Sequence, residues 1–430
     1  MSDFSPPQLE RQLGMHAYLT ASEGTGGTIK NEIEDFIVSE IPLLPAANER
    51  GNFVICRVTA RNWETNRLVR ELSRRLQIGR KRIGFAGTKD KRGLTSRYMS
   101  FEGVDEGVLR SIDIRDVDVE VVGRANRRLN LGDLWGNSFS ITIRDCSYSG
   151  NRLAEVASAV ISELKQTKGF PNFYGVQRFG SIRPNTHIVG RYIVKKDFRG
   201  AVHAYAGNPS GKENDEVRQA RTLFDEGADA DEVFSSMPDV MVFERILLSH
   251  LSEHPDDYAG ALRRLPSNLL MMFVHALQAS LFNEMISARI AEDLPLHLAV
   301  EGDIVLPINE HHLPDRGRLV SVSATNISAV NRQMSAGNGF VSALLFGHSS
   351  VFAGGKQGEI ERQIVQSNGL EERDFVVPEI SECTSAGSRR EVLSPLHSIY
   401  FRADGDSLHL KFDLVRGSYA TSLLREIMKC

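Results

Sequence analysis

In GFAGTKDKRGLTSRY, residues 84–98, the carboxylate of Asp90 lies between Lys89 and Lys91, just after a glycine-rich turn. Neighbouring cations favour the ionised form of a carboxylate. Gly84 and Gly87 permit a tight backbone path that would present Asp90 in a cleft. An ionised Asp can act as a nucleophile or stabilise an oxocarbenium-like centre. It can equally neutralise a basic turn, and composition alone does not separate the two. No other acid falls between Glu71 and Asp90.

Other chemistry-bearing patterns dissolve on inspection. His250-Leu251-Ser252-Glu253-His254 has the spacing of some zinc proteases, but Pro255, Asp256 and Asp257 follow at once and mark a helix end. His311-His312 beside Glu310 reads as a surface loop, and Gly24, Gly26 and Gly27 as a flexible turn. A phosphate loop needs four residues between its glycines and Lys before Ser or Thr; here two separate Gly84 from Gly87, and Thr88 precedes Lys89. Cys56, Cys146, Cys383 and Cys430 are scattered singly, which excludes a CxxC zinc knuckle and argues against a disulfide framework. The expectation is a protein with no metal and no nucleotide cofactor.

The elements that must position Asp90 follow from periodicity. Residues 52–61 read as a strand, and Thr65 or Asn66 would cap a helix running to about Leu76, with Gly79 ending it. Leu68, Val69, Leu72 and Leu76 mark its apolar face, while Arg67, Arg70, Arg74 and Arg75 crowd the others, where they would meet either solvent or an RNA backbone. Between Arg57 and Arg97 there are thirteen Lys or Arg against three acids, although the whole chain carries −4. Such segregation is the electrostatic footprint of a phosphate-binding face. Phe139, Ile141 and Ile143 alternate with polar residues as a strand, and 152–167 read as a helix stopped by Gly169 and Pro171. Leu408, Leu410, Phe412 and Leu414 alternate again before a last helix. Strands and helices mix without strict alternation, so the class is α+β.

The stretch from 186 to 391 differs, with an acidic helical part and a long helix beginning near Ser267. We expect an inserted α+β domain there, 1–185 as the first part of a core, and 392–430 as the strand and helix that complete it. Apolar runs fall short of the roughly 20 residues of a membrane helix, and the N-terminus lacks a secretory pattern, so a cytoplasmic protein is expected.

Four segments, in order, resemble the TruD family of pseudouridine synthases. Gly87-Thr88-Lys89-Asp90-Lys91 followed by Thr95 resembles its catalytic motif. Lys30 with Glu34-Asp35-Phe36-Ile37-Val38-Ser39-Glu40 resembles its N-terminal K…DF.V.E element. Asn172-Phe173-Tyr174-Gly175-Val176-Gln177-Arg178-Phe179-Gly180 resembles N.FG.QRFG. Gly417-Ser418-Tyr419-Ala420-Thr421 with Leu424-Arg425-Glu426 resembles the closing GSYAT..LRE. Asn62-Trp63-Glu64-Thr65 and Gly136-Asn137-Ser138-Phe139 also fit. The chain departs from the pattern with Tyr174 where Phe is common and Arg97 where Gln is frequent.

The resemblance implies a pseudouridine synthase-like mixed-sheet core and an isomerase acting on tRNA, most often at the uridine at position 13 in the D arm. It implies Asp90 as nucleophile, Lys30 as its salt-bridge partner, and Asn172 with Tyr174 against the uracil. Lys89 and Arg178 would also contact substrate. On the residues alone, a noncatalytic RNA-binding module and an RNA hydrolase or base glycosylase stay open.

Overall fold

The computed structural model describes residues 4–430. A nine-stranded sheet forms the core, and its main path runs Ile399–Asp404, Ser407–Val415, Leu134–Arg144, Phe36–Pro42, Leu94–Glu102, Phe53–Arg61, Val117–Ala125. Pairing along that path is antiparallel except between Phe36–Pro42 and Leu94–Glu102, so the sheet is mixed and the class is α+β. The C-terminal strand is integral to it, with Leu408 to Val415 pairing Ile143 to Gly136.

The sheet owes its stability to two apolar clusters. In one, Leu68, Val69, Leu72 and Leu76 of helix Thr65–Leu76 pack on Val54, Cys56, Val58 and Ala60. In the other, Leu153, Val160, Ile161 and Leu164 of helix Gly150–Gln166 meet Phe139, Ile141, Phe412 and Leu423. The strand register places Val58 opposite Arg97, Val38 opposite both Thr95 and Phe139, and Glu40 opposite Asn137. Because side chains alternate along strands, these residues share the face that both helices cover. A polar patch of Glu40, Thr95, Arg97 and Asn137 therefore interrupts an otherwise apolar surface.

Two helix ends differ from the sequence expectation. Glu64, not Thr65 or Asn66, caps the arginine-bearing helix, accepting from the Asn66 and Arg67 amides at 2.8 Å each. The helix ends at Leu76 because Gln77 turns left-handed (φ 53°), two residues before Gly79. Gly169–Pro171 is not merely a helix stop. It forms a short strand paired with Leu393–Pro395, and the turn out of the preceding helix uses Lys168 at φ 60°.

Residues 186–391 open with helix Thr186–Val194 and close with strand Ser388–Glu391, the edge of a separate four-stranded sheet. Their core also takes in Leu13, Met15, Phe173 and Phe179 from earlier in the chain. Helix Ser267–Ala291 is long and apolar enough to cross a membrane, yet 78% of its most apolar window is buried inside the protein. Its apolarity is that of a core helix hydrophobic all round. Cys56 and Cys383 are buried free thiols, pushed up to about 12 by desolvation.

Candidate active site

Asp90 sits in the loop between strands Ile83–Phe85 and Leu94–Glu102, with its side chain 44% exposed. Sterics shape this loop at its ends. A Cβ on Gly84 would lie 2.4 Å from the Leu129 carbonyl oxygen, and one on Gly93 2.5 Å from that of Phe36. Gly87 carries no such requirement, since the nearest atom is 3.6 Å from its ideal Cβ.

The loop is held from below by the polar patch. Lys89 Nζ donates to Glu40 Oε1 at 2.5 Å, with both side chains almost wholly buried. Glu40 Oε2 accepts from the Tyr98 amide at 2.7 Å. Burial pulls the Lys89 ammonium below its ordinary pKa while Glu40 pulls it back up. Thr65 Oγ1, at the start of the arginine-bearing helix, accepts from the Lys89 amide at 3.0 Å and from Arg97 at 2.7 Å. Lys89 borders the candidate cavity with its charge engaged by Glu40.

Lys30 supplies the charge beside Asp90. Its Nζ lies 3.1 Å from Asp90 Oδ2 and 4.1 Å from the centroid of the Phe36 ring. Lys30 is itself left-handed (φ 63°), an uncommon conformation for a residue with a Cβ.

Asp90 opens onto a cavity of about 190 Å³ bordered by Phe36, Val38, Asn137, Phe139, Gln177, Tyr419 and Thr421. The Phe139 ring is stacked on Phe412 at 5.3 Å and meets Phe36 edge-on at 6.2 Å, so its orientation is fixed. Burial raises the Tyr419 phenol above its usual pKa, against the pull of Arg390 and Arg178. Two polar atoms of the lining, Asn137 Oδ1 and Thr421 Oγ1, are buried without a hydrogen-bond partner. Unsatisfied buried polar atoms are costly and mark places where a ligand completes the bonding.

Asn172 and Tyr174 are elsewhere. Asn172 is fully buried; its Nδ2 donates to the Glu391 carbonyl at 3.0 Å and to Glu391 Oε1 at 3.2 Å, and its Oδ1 accepts from Arg390 at 2.8 Å. Both Nδ2 hydrogens are thereby spent, while Oδ1 keeps one of its two acceptor sites. The Tyr174 ring is covered by the Arg390 guanidinium 4.0 Å from its centroid and meets Tyr419 edge-on at 5.8 Å. Tyr174 and Arg178 border an adjoining cavity instead. Sequence reasoning missed Asn137, Phe139, Gln177, Tyr419 and Thr421 as site residues. For Asn137 a signal existed: two positions before Phe139, it is an amide on the apolar face of an alternating strand.

Arg67, Arg70, Arg74 and Arg75 are all exposed on their helix. Arg74 and Arg75 are both bonded to Glu71, at 2.6 and 2.9 Å, and these bonds hold the Glu71 carboxyl at about 2. Arg67 stacks 4.9 Å from the Trp63 ring. His250, from the zinc-protease-like spacing, bonds Asp257 at 3.0 Å.

A family model described as tRNA pseudouridine synthase D (TruD) matches residues 12–427. A relative from Methanococcoides burtonii, named probable tRNA pseudouridine synthase D, is 40% identical over 98% of this chain and 98% of its own. One of the same name from Halobacterium salinarum is 36% identical over 98% of this chain and 97% of its own. The crystal structure of a TruD protein from Methanosarcina mazei superposes with a TM-score of 0.87 at 39% identity, covering 99% of this chain and 98% of that one. Matches of this extent, on a mixed sheet that carries the GTKDK loop beside an open cavity, show that the chain belongs to the TruD family of tRNA pseudouridine synthases, isomerases that convert uridine to pseudouridine.

Proposed function

We propose that Asp90 is the catalytic nucleophile, and that the uridine isomerised is the one at position 13 in the D arm of tRNA. The observation that carries the assignment of Asp90 is its carboxylate, paired with Lys30 at 3.1 Å, facing an aromatic cavity with two unpartnered polar atoms. In this reading uracil leaves C1′ of the ribose, turns in the cavity, and rejoins through C5, so no atom is gained or lost. Phe36, Phe139 and Tyr419 give the freed base aromatic surfaces, while Asn137 Oδ1 and Thr421 Oγ1 meet its polar edge. Lys30 keeps Asp90 ionised and aimed. The cavity walls limit capture of the intermediate by water.

Extruding a base costs about a few kcal/mol, which phosphate contacts along helix Thr65–Leu76 offset. The division into 1–185, 186–391 and 392–430 belongs to the same proposal: the insertion forms the wall opposite the catalytic core. Carbodiimide mapping of pseudouridine in tRNA, before and after incubation with the protein, tests it. Modification confined to the D-arm uridine is expected, and it should vanish with Asp90→Asn. Release of free uracil instead would favour a glycosylase. The isomerisation should also persist in EDTA on prefolded tRNA.

A further inference from the structure

A second cavity, of about 280 Å³, adjoins the Asp90 pocket and is bordered by Tyr174, Arg178, His275, Gln278, Leu345 and residues 385–388. The two share a wall. The Tyr174 and Tyr419 rings are 5.8 Å apart, and the consecutive residues Gln177 and Arg178 border one cavity each. A strand that entered the first cavity would pass the second along this wall.

The second cavity is lined for an anion and its attached polar group. Arg178 Nε is buried without a hydrogen-bond partner, although Nε–H is an obligate donor. Gln278 Nε2 is spent on the Phe346 carbonyl at 2.7 Å and on Ser385 Oγ at 2.9 Å. Ser385 Oγ thus accepts from Gln278 and keeps its own hydrogen to donate. Burial and the Arg178 charge both lower the His275 pKa, which favours its neutral form beside the guanidinium. Among the described residues, no carboxylate borders the cavity.

We propose that this cavity receives the nucleotide next to the target uridine on the same RNA strand, with Arg178 donating to the phosphodiester that joins the two. The inference rests on the reading of the Asp90 pocket as the target-uridine site. A base in the first cavity and a phosphate over Arg178 would be consecutive groups of one chain, and Tyr174 would separate the two nucleotides.

The test is a coupling measurement on tRNA transcripts carrying a neutral methylphosphonate at the linkage immediately 5′ or 3′ of the target uridine. Pseudouridine formation is measured in single turnover with the wild-type protein, Arg178→Ala and Arg178→Lys. For wild type, neutralising one of the two linkages should lower kcat/KM roughly tenfold or more, as loss of a charged hydrogen bond does. In Arg178→Ala the same neutralisation should cost almost nothing, and Arg178→Lys should recover part of the sensitivity. Equal losses in wild type and Arg178→Ala, or a wild type indifferent to both linkages, would overturn the assignment. A variant that melted early but kept the wild-type sensitivity would also count against it, because Arg178 would then be a packing residue. Asp90→Asn activity tests the underlying reading separately, since all arms here keep Asp90.

Discussion

The Asp90 pocket and the cluster of Asn172, Arg390 and Glu391 both hold polar groups, and Asp90 and Asn172 each come from a segment that resembles a family motif. They differ in burial and in how far their charges are bonded by neighbouring groups. Asp90 is 44% exposed with a single cation beside it, and Asn137 and Thr421 keep unpartnered atoms around it. In the other cluster Asn172 is engaged at both ends, and Glu391 also holds Arg316 at 2.9 Å while only 2% exposed. Open bonding capacity around an exposed charge suits chemistry, whereas a buried network, bonded except at Arg390 Nε, fixes the relative placement of chain segments more than 200 residues apart.

Substitutions should separate the two in kind as well as in size. Asp90→Asn should lower isomerisation by on the order of 10⁴-fold or more, as loss of a nucleophile does, with tRNA binding and the denaturant midpoint nearly unchanged. Lys30→Met should follow the same pattern to a lesser degree, because the stability contributed by a partly exposed pair is about 0–1 kcal/mol. If either variant unfolded early, the pocket would be as structural as the Asn172 cluster, and the contrast would fail.

The Glu40–Lys89 pair sharpens the comparison because it adjoins Asp90 yet is buried like the other cluster. Lys89→Met leaves an uncompensated carboxylate in the interior and should cost about 3–5 kcal/mol, read by urea titration. Asn172→Ala removes the amide between Arg390 and Glu391 and should cost about 1–3 kcal/mol. For Asn172→Ala, activity per folded molecule should change little. A large fall in kcat with unaltered stability would return Asn172 to the uracil site.

Local pattern made several sheet strands and the arginine-bearing helix legible, and the family resemblance implied the ion pair of Asp90. Leu68, Val69, Leu72 and Leu76 face the sheet as their spacing predicts, and Lys30 meets Asp90 as the family resemblance implies. What stayed hidden depends on contacts between distant segments. Asn172 turns inward where the strand beginning at Gly169 pairs with Leu393–Pro395, a register that its own neighbours do not encode. The ring that reaches the Asp90 cavity is Tyr419, brought there by a chain end 245 residues beyond Tyr174, and residue type alone could not choose between them. Lys89 looked like Lys91 in sequence. Only the Glu40 carboxylate beneath the loop distinguishes them.

The smallest expected effects concern the arginine-bearing helix, and they extend the same distinction to its surface. Arg67 and Arg70 have no carboxylate partner among the described residues, whereas Arg74 and Arg75 share Glu71. A shared carboxylate offsets part of the charge that a phosphate would feel. Arg67→Ala and Arg70→Ala should therefore each reduce the slope of log affinity against log salt by roughly 0.7–0.9, the value for one lost phosphate contact. Arg74→Ala and Arg75→Ala should change it less. Exposed i,i+3 and i,i+4 pairs contribute only about 0.3–0.5 kcal/mol, so Glu71→Gln should leave the fold intact while freeing both guanidinium groups and tightening tRNA binding. The pH dependence has a definite sign. Glu71 is depressed to about 2 in the folded protein, so its contribution is present above the ordinary carboxylate range and is lost as pH falls toward 2. Salt titrations of tRNA binding at neutral pH, where Glu71 is ionised, give the comparison directly. Equal slopes for all four alanine variants would show that RNA displaces Glu71 from its partners; unchanged slopes in all four would move the phosphate path off this helix altogether.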